Sequence, residues 1–144
     1  MINDALYSSA SDEWATPQDL FDWLNFMFQF TLDPCATAEN AKCKRYYTKE
    51  QDGLAQSWKG ERVFMNPPYG SEIGNWIAKA ASSADKDGAL VVALLPARTD
   101  TRWFQDYCLR RAMIFLKGRL KFGGHRNSAP FPSVIVLFLP QRST

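Results

Sequence analysis

Apolar residues recur every three or four positions between Leu20 and Phe28. This spacing predicts an amphipathic helix over "TPQDLFDWLNFMF". We expect Thr16 to act as its N-cap and Pro17 to take the first helical position. A second helix is predicted for "SEIGNWIAKAASSA", capped by Ser71, and a third, amphipathic helix for "TDTRWFQDYCLRR".

Short apolar runs between these helices predict strands. A short helix is also predicted over "TAENAKCK". The predicted strands are "QFTLDPC", "RYYT", "RVFMN", "ALVVALLP", "AMIFL" and "SVIVLFL". Strands that alternate with helices indicate an α/β fold.

The run "ALVVALLP" is apolar throughout, which suits a strand that is buried on both faces of a parallel sheet. The last two strands are joined by a long irregular loop without a helical pattern, so they can pair antiparallel. We therefore expect a mostly parallel sheet with an antiparallel last strand. Asp33, Asn66 and Pro96 each end a predicted strand and should meet at one rim, where such sheets bind ligands.

The length of 144 residues fits one domain. We expect residues 1–13 to form a flexible tail and residues 14–144 to form that domain. The polar, acidic start is unlike a signal peptide, and no apolar stretch is long enough for a membrane, so we expect a cytoplasmic protein. Three cysteines without a CxxC motif, and His125 as the single histidine, predict no metal site.

Charge is unevenly distributed, although the net charge is only +2. Residues 98–144 hold nine of the 17 Lys and Arg residues and two of the 15 Asp and Glu residues. This asymmetry is compatible with an anionic partner bound on one side, and equally with basic residues that merely solvate a surface.

The segment Asn66-Pro67-Pro68-Tyr69 follows an apolar strand and precedes a predicted helix. Asn66 carries a carboxamide oxygen that accepts hydrogen bonds, and proline offers a carbonyl without a competing N–H. Two prolines make this pair of acceptors rigid, and Tyr69 adds a ring on which a planar base can stack. The alternative is a turn that ends a strand. The combination favours a site that holds an NH₂ group for attack on an electrophile.

This "NPPY" motif after a strand resembles the amino-methyltransferases, and the wider pattern resembles the phage-type DNA N6-adenine methyltransferases. The resemblance runs from Trp14 to about Leu139. Its segments are "WATPQDLF", "TLDPCATAENAKC", "DGLAQSW", "VFMNPPYG", "LLPARTDTRWF", "GRLKF" and "APFPSVIV".

The resemblance implies a compact Rossmann-like sheet, S-adenosylmethionine as cofactor, and adenine N6 in double-stranded DNA as methyl acceptor. It implies that Asn66 and Pro67 hold the N6 amino group, that Pro68 keeps the motif rigid, and that Tyr69 stacks on the flipped base. Neither a metal nor a covalent intermediate is implied.

Cofactor contacts also follow from the resemblance. Thr16-Pro17 matches the segment near the methionine end, Asp33-Pro34 the acidic end of the first strand, and Asp52 with Leu54 the pair that meets the adenine ring. Each also has a purely structural interpretation, as a helix start or a turn. The loop after Asp33 contains no glycine, so the Gly-rich cofactor loop that usually follows the first strand is missing. The segment from Asp33 to Asn66 is too short for two βαβ units, so the second and third strands must be abbreviated.

The basic half predicts the DNA-binding residues. Arg98 and Arg102 follow the predicted rim. Arg119, Lys121 and Arg126 lie in the Gly-rich loop between the last two predicted strands, "KGRLKFGGHRNSAPFP" (residues 117–132), where they can meet phosphates. Either Phe122 or Phe131 can stack on the flipped base, and Phe122 is equally suited to anchoring the loop in the core.

The preferred hypothesis is a site-specific DNA adenine-N6 methyltransferase that acts in the cytoplasm, of the host cell if it is phage-encoded. The alternatives are an N5-glutamine protein methyltransferase and a catalytically degenerate nucleic-acid-binding protein. None of these patterns specifies an oligomeric state or a recognition sequence.

Overall fold

A computed structural model describes residues 14–141; the expected N-terminal tail lies outside this range. The described part contains two α-helices and four strands. They are α1 (Gln18–Phe28), β1 (Arg62–Met65), α2 (Ile73–Asp87), β2 (Leu90–Pro96), β3 (Ala112–Phe115) and β4 (Ser133–Phe138). A 3₁₀ turn (Gly53–Ala55) and a short π-helix (Phe104–Cys108) complete it. No helix within residues 14–141 is both long and apolar enough to cross a membrane.

The four strands form one sheet in the order β1-β2-β4-β3. β1 and β2 pair parallel, whereas β4 lies between β2 and β3 and runs antiparallel to both. The antiparallel last strand is therefore confirmed. The expectation of a mostly parallel sheet is wrong for these pairings, because β4 inserts between two strands that point the same way and makes two of the three pairs antiparallel.

β2 forms the centre of the core. β1 and β4 flank it, and every residue from Val91 to Pro96 is buried, which explains its uninterrupted apolar sequence. α1 packs onto the sheet through Phe21, whose ring meets Phe64 edge-on with centroids 5.2 Å apart. α2 buries Trp76 and Ile77.

The segment between α1 and β1 is less regular than expected. The predicted strands "QFTLDPC" and "RYYT" reduce to single parallel bridges, Leu32 with Val63 and Asp33 with Tyr46. The predicted helix over "TAENAKCK" is wrong: Thr37 and Asn40 exchange side-chain-to-backbone hydrogen bonds there, which favours a turn. This part of the sheet is abbreviated to isolated bridges.

Two predicted helix caps are wrong. α1 begins at Gln18 with Pro17 as N-cap, since the N–H of Phe21 bonds to the Pro17 carbonyl. α2 begins at Ile73, and neither Ser71 nor the N-cap Glu72 supplies a side-chain cap. The third predicted helix is reduced to the π-helix Phe104–Cys108. The Thr101 hydroxyl accepts a hydrogen bond from the N–H of Phe104, the first residue of this helix.

The strand register confirms the expected rim. Leu32 lies beside Val63 and Met65 beside Ala93, so the ends of these parallel segments reach the same edge of the sheet. Asp33, Asn66 and Pro96 therefore all lie toward that edge.

A close backbone contact joins two loops beneath this edge. A Cβ atom added to Gly53 would stand 2.0 Å from the carbonyl oxygen of Pro34. The Trp58 indole also donates to the Gly53 carbonyl at 3.0 Å, in a buried position. Only glycine allows these segments to approach this closely.

We expect Gly53→Ala to lower the free energy of unfolding by about 3 kcal/mol, since either backbone has to shift. Chemical denaturation measures this change. Gly74→Ala in α2 is the matched control, because its Cβ would meet its nearest neighbour, the Trp103 Cβ, at an ordinary 3.8 Å. Alanine also favours the helix by about 1 kcal/mol. Equal stability of both variants would contradict the contact.

Candidate active site

The segment Asn66-Pro67-Pro68-Tyr69 leaves the end of β1 and turns back into the protein. Pro67 and Tyr69 are buried, while Asn66 and Pro68 are half-buried. The two prolines remove two N–H donors, so the segment presents acceptors at the rim.

The Asn66 carboxamide is held from one side only. Its Nδ2 donates to the backbone carbonyl of Trp14 and to Thr16 Oγ1, the latter at 2.9 Å. Its Oδ1 is buried and has no hydrogen-bond partner among the described residues. A buried acceptor without a partner is costly in a folded protein, and such groups are typical of sites that bind a donor.

Tyr69 is fixed by its hydroxyl, which donates to the carbonyl of Leu94 at 2.9 Å. The ring is 5% exposed, and burial raises its pKa well above the usual value. The hydroxyl therefore stays protonated and remains a donor. This bond links the motif to β2.

An aromatic cluster formed by Trp14, Tyr69, Phe122 and Phe131 covers the motif. Tyr69 meets Phe131 at 5.6 Å and Phe122 at 6.3 Å, both edge-to-face. Trp14 contacts the same two phenylalanines at 5.1 and 5.4 Å. Both phenylalanines thus anchor the Gly-rich loop against the motif.

Asp33 is a buried carboxylate beside the same edge. It is 5% exposed and accepts a hydrogen bond from the backbone N–H of Lys42 at 3.1 Å. Burial raises its pKa to about 6, although the N–H groups of Lys42 and Cys35 oppose the shift. A carboxylate kept in an apolar setting at an energetic cost is a candidate for binding a cation.

The predicted cofactor residues fall into two groups. Asp33-Pro34 and the Asp52–Leu54 turn lie together, because Gly53 packs on Pro34. Asp52 adopts a φ of 54° and accepts from the N–H of Leu54, which shapes that turn. Thr16, by contrast, is buried with its hydroxyl bonded to Asn66, and Pro17 caps α1.

The predicted DNA-binding cations are all exposed, and they comprise Arg98, Arg102, Arg119, Lys121 and Arg126. Arg98 lies over the Phe131 ring at 5.8 Å, so it belongs to the surroundings of the motif. Lys121 neighbours the buried Phe122 in the loop. That loop is tied to the N-terminal segment by the N–H of Gly123, which donates to the Ala15 carbonyl at 2.9 Å.

Two residues of the site were missed by sequence reasoning. Trp14 contributes both its carbonyl and its ring, and the only signal is its position just before Thr16-Pro17. The second is Cys35, whose thiol pKa is raised well above its usual range by burial, while the backbone of Asn66 opposes the shift. No group of His, Cys, Asp and Glu side chains in residues 14–141 is arranged to hold a metal ion.

The raised pKa of Asp33 predicts a specific dependence of stability on pH. The native carboxyl releases its proton near pH 6 and the unfolded one near 3.8, so the free energy of unfolding falls as the pH rises between these values. Asparagine cannot titrate, so the Asp33→Asn variant lacks this loss. Its free energy of unfolding relative to the wild type should therefore rise by about 3 kcal/mol between about pH 3.5 and about pH 7. Urea denaturation at both pH values measures the gain.

Asp85→Asn provides a control of opposite sign. The hydrogen bond from Arg111 lowers the pKa of Asp85, so this variant should lose stability, relative to the wild type, as the pH rises. If the free energy of unfolding, relative to the wild type, changed with pH in the same direction for both variants, the raised pKa of Asp33 would be contradicted.

The family profile described as DNA N-6-adenine-methyltransferase (Dam) matches residues 4–143. A "DNA N-6-adenine-methyltransferase" of Escherichia phage T1 is 32% identical over 97 residues, which covers 66% of this chain and 40% of the relative. A "Putative methyltransferase YfdM" of Escherichia coli (strain K12) is 42% identical over 66 residues, which covers 40% of this chain and 71% of the relative.

The chain therefore spans well under half of the phage relative's length. The family match extends over nearly all of the sequence and confirms the resemblance carried by the "NPPY" motif and its flanking segments. The chain belongs to the DNA N-6-adenine-methyltransferase (Dam) family.

Proposed function

We propose that this chain is a DNA adenine-N6 methyltransferase that transfers a methyl group from S-adenosylmethionine to the N6 amino group of a flipped adenine. The observation that carries the proposal is the Asn66 Oδ1 atom, a buried acceptor without a partner in the described structure. An exocyclic amine is a donor of the kind this oxygen needs.

We interpret the sheet as an abbreviated form of a Rossmann-like methyltransferase sheet within a single domain, an interpretation with which its four strands are compatible. The parallel β1–β2 pair carries the motif, and the parallel bridges at Leu32 and Asp33 extend it on the far side of β1. Ligands of open α/β sheets bind beyond the carboxyl ends of such strands. Asp33 and Asn66 lie there.

Asp33 fits the cofactor chemically. S-adenosylmethionine, when bound, supplies an electrophilic methyl group on a sulfonium centre. Its amino group is cationic, and the buried Asp33 carboxylate is a suitable partner for a cation. The Asp52–Leu54 turn lies next to Asp33-Pro34 and offers the half-buried Leu54 as an apolar contact for the adenine ring.

The acceptor base would be held by Asn66 Oδ1 and the Pro67 carbonyl, which take the two amine hydrogens. Hydrogen bonds of this kind keep electron density on the nitrogen and align it with the methyl group. Tyr69 would stack on the base. Phe122 and Phe131 cover Tyr69 in this structure, so the loop that carries them has to shift when the base enters.

The exposed cations suit double-stranded DNA as the partner. Arg98 reaches the aromatic cluster, and Arg119, Lys121 and Arg126 lie in the Gly-rich loop, which is the covering loop because its Phe122 and Phe131 cover Tyr69. Phosphate contacts from these side chains would position the duplex beside the motif. An enzyme that methylates DNA would act in the cytoplasm. For a phage-encoded enzyme this is the cytoplasm of the host cell.

Asn66→Ala tests the proposal directly. The variant should lose methyl transfer by at least about a thousandfold, because it removes an acceptor aimed at the reacting amine. Its affinity for S-adenosylmethionine should stay within about tenfold of the wild-type value, since Asn66 is proposed to bind the adenine amine and not the cofactor. Labelled S-adenosylmethionine with duplex DNA measures transfer, and calorimetry measures cofactor affinity.

Parallel reactions with RNA and with cell protein serve as comparisons. Label at adenine N6 of DNA supports the proposal. Label only in protein would point to glutamine as acceptor, and absence of cofactor binding by the wild-type protein would point to a degenerate binding protein. Either result would overturn the proposal.

The loop cations predict a dependence on salt. Replacing Lys121 and Arg126 with Ala should reduce the slope of log affinity against log salt by about one for each phosphate that the loop no longer neutralises. Lys86→Ala is the control, because Lys86 lies in the last turn of α2, at the opposite edge of the sheet. Fluorescence anisotropy at several salt concentrations measures both slopes, and identical slopes would exclude the loop from the interface.

A further inference from the structure

The Asn66 carboxamide has one chemically sensible orientation in this structure. Two acceptors face its Nδ2 atom: the Trp14 carbonyl, which has no hydrogen to donate, and Thr16 Oγ1 at 2.9 Å. Turning the amide over would set Oδ1 against the Trp14 carbonyl oxygen and leave the amide hydrogens without these acceptors. The Trp14 carbonyl therefore selects the orientation that leaves Oδ1 without a partner among the described residues, and the Thr16 hydroxyl, which accepts in this orientation, is a second hydrogen bond that fixes Nδ2.

This orientation decides what Asn66 can bind. An amide presented by its oxygen accepts from an amine, whereas one presented by its nitrogen would repel the amine hydrogens. Thr16 is 6% exposed, so water cannot readily replace its hydroxyl as the acceptor. Loss of this hydroxyl would leave Trp14 as the only group in the described structure that fixes the amide.

The segment that supplies both acceptors is itself held in place. Ala15 forms an antiparallel bridge with Gly123 of the covering loop. The Trp14 ring packs edge-on against Phe131 at 5.1 Å. Pro17 follows directly and caps α1. The two acceptors are thus fixed by a helix start on one side and by the loop on the other.

We propose that Thr16 is a positioning residue for methyl transfer: its hydroxyl, together with the Trp14 carbonyl, holds the Asn66 carboxamide with Oδ1 toward the acceptor amine. This assignment rests on the proposed function and differs from the cofactor contact implied by the family resemblance. Thr16 acts through Asn66 and does not need to touch either substrate.

The variants Thr16→Val and Thr16→Ser distinguish a residue that positions Asn66 from a residue that contacts the cofactor. Valine keeps the shape of the side chain but removes the acceptor, so kcat should fall about tenfold while the Kd for S-adenosylmethionine stays within about twofold. Serine keeps the hydroxyl and should retain kcat within about threefold. Thr31→Val is the matched control, since it removes hydroxyl bonds to Glu61 and Arg62 at the opposite end of β1 and should leave kcat unchanged.

A second measurement does not depend on activity. The side-chain NH₂ resonances of Asn66, assigned by their absence from the spectrum of Asn66→Asp, report the two hydrogen bonds in the free protein. They should shift and exchange faster with water in Thr16→Val, and remain unchanged in Thr31→Val.

The outcomes are distinguishable. A weakened Kd with unchanged kcat at saturating cofactor would make Thr16 a cofactor contact and overturn the proposal. NH₂ resonances that do not respond to Thr16→Val would overturn it as well. If the wild-type protein transfers no methyl group to DNA, the proposed function fails, whereas the spectra still decide whether Thr16 holds the amide.

Discussion

The hydrogen bonds from the Asn66 side chain to Trp14 and Thr16 join parts of the chain that are about 50 positions apart. They bind the segment before α1 to the end of β1, and the covering loop is in turn bound to that segment through Gly123. The aromatic cluster then fills the space above the motif. The end of a strand, a helix start and a loop are thereby fixed around one amide, which is the arrangement that a reaction governed by alignment requires.

The same site carries two energetic costs. Asp33 is desolvated beside the Asp52–Leu54 turn, and Asn66 Oδ1 is buried without a hydrogen-bond partner among the described residues. Under the proposed function both costs would fall on ligand binding, because the cationic amino group of the cofactor would neutralise the carboxylate and the acceptor amine would donate to the amide oxygen. The buried β2 strand and the residues packed on it offset these costs in the free protein. The polar residues at the rim therefore lower the stability of the free protein, whereas the buried apolar residues of β2 raise it.

The four strands follow directly from their apolar runs, and β2 in particular is buried as its sequence predicts. Sequence reasoning failed where local patterns compete with distant partners. Thr16 has the ideal residue type for a helix cap, yet its hydroxyl bonds to an amide about 50 positions away. Between Thr37 and Asn40 the chain forms a turn in place of the predicted helix, because each side chain accepts a hydrogen bond from the backbone N–H of the other residue. The chemistry of Asn66 was readable from its neighbours, whereas the role of Trp14 depends on a backbone carbonyl, which no residue type reveals.

The position of β4 has a consequence for how the protein assembles. β4 follows the other three strands in sequence but lies inside the sheet, and among the described strands it is the sole partner of β3. A nascent chain can pair β1 with β2 while β3 still has no neighbour. Closure of the sheet, and with it the placement of the loop between β3 and β4, must wait until β4 has emerged from the ribosome. Translation would thus complete the loop that covers the Asn66-Pro67-Pro68-Tyr69 motif last, in a single late step.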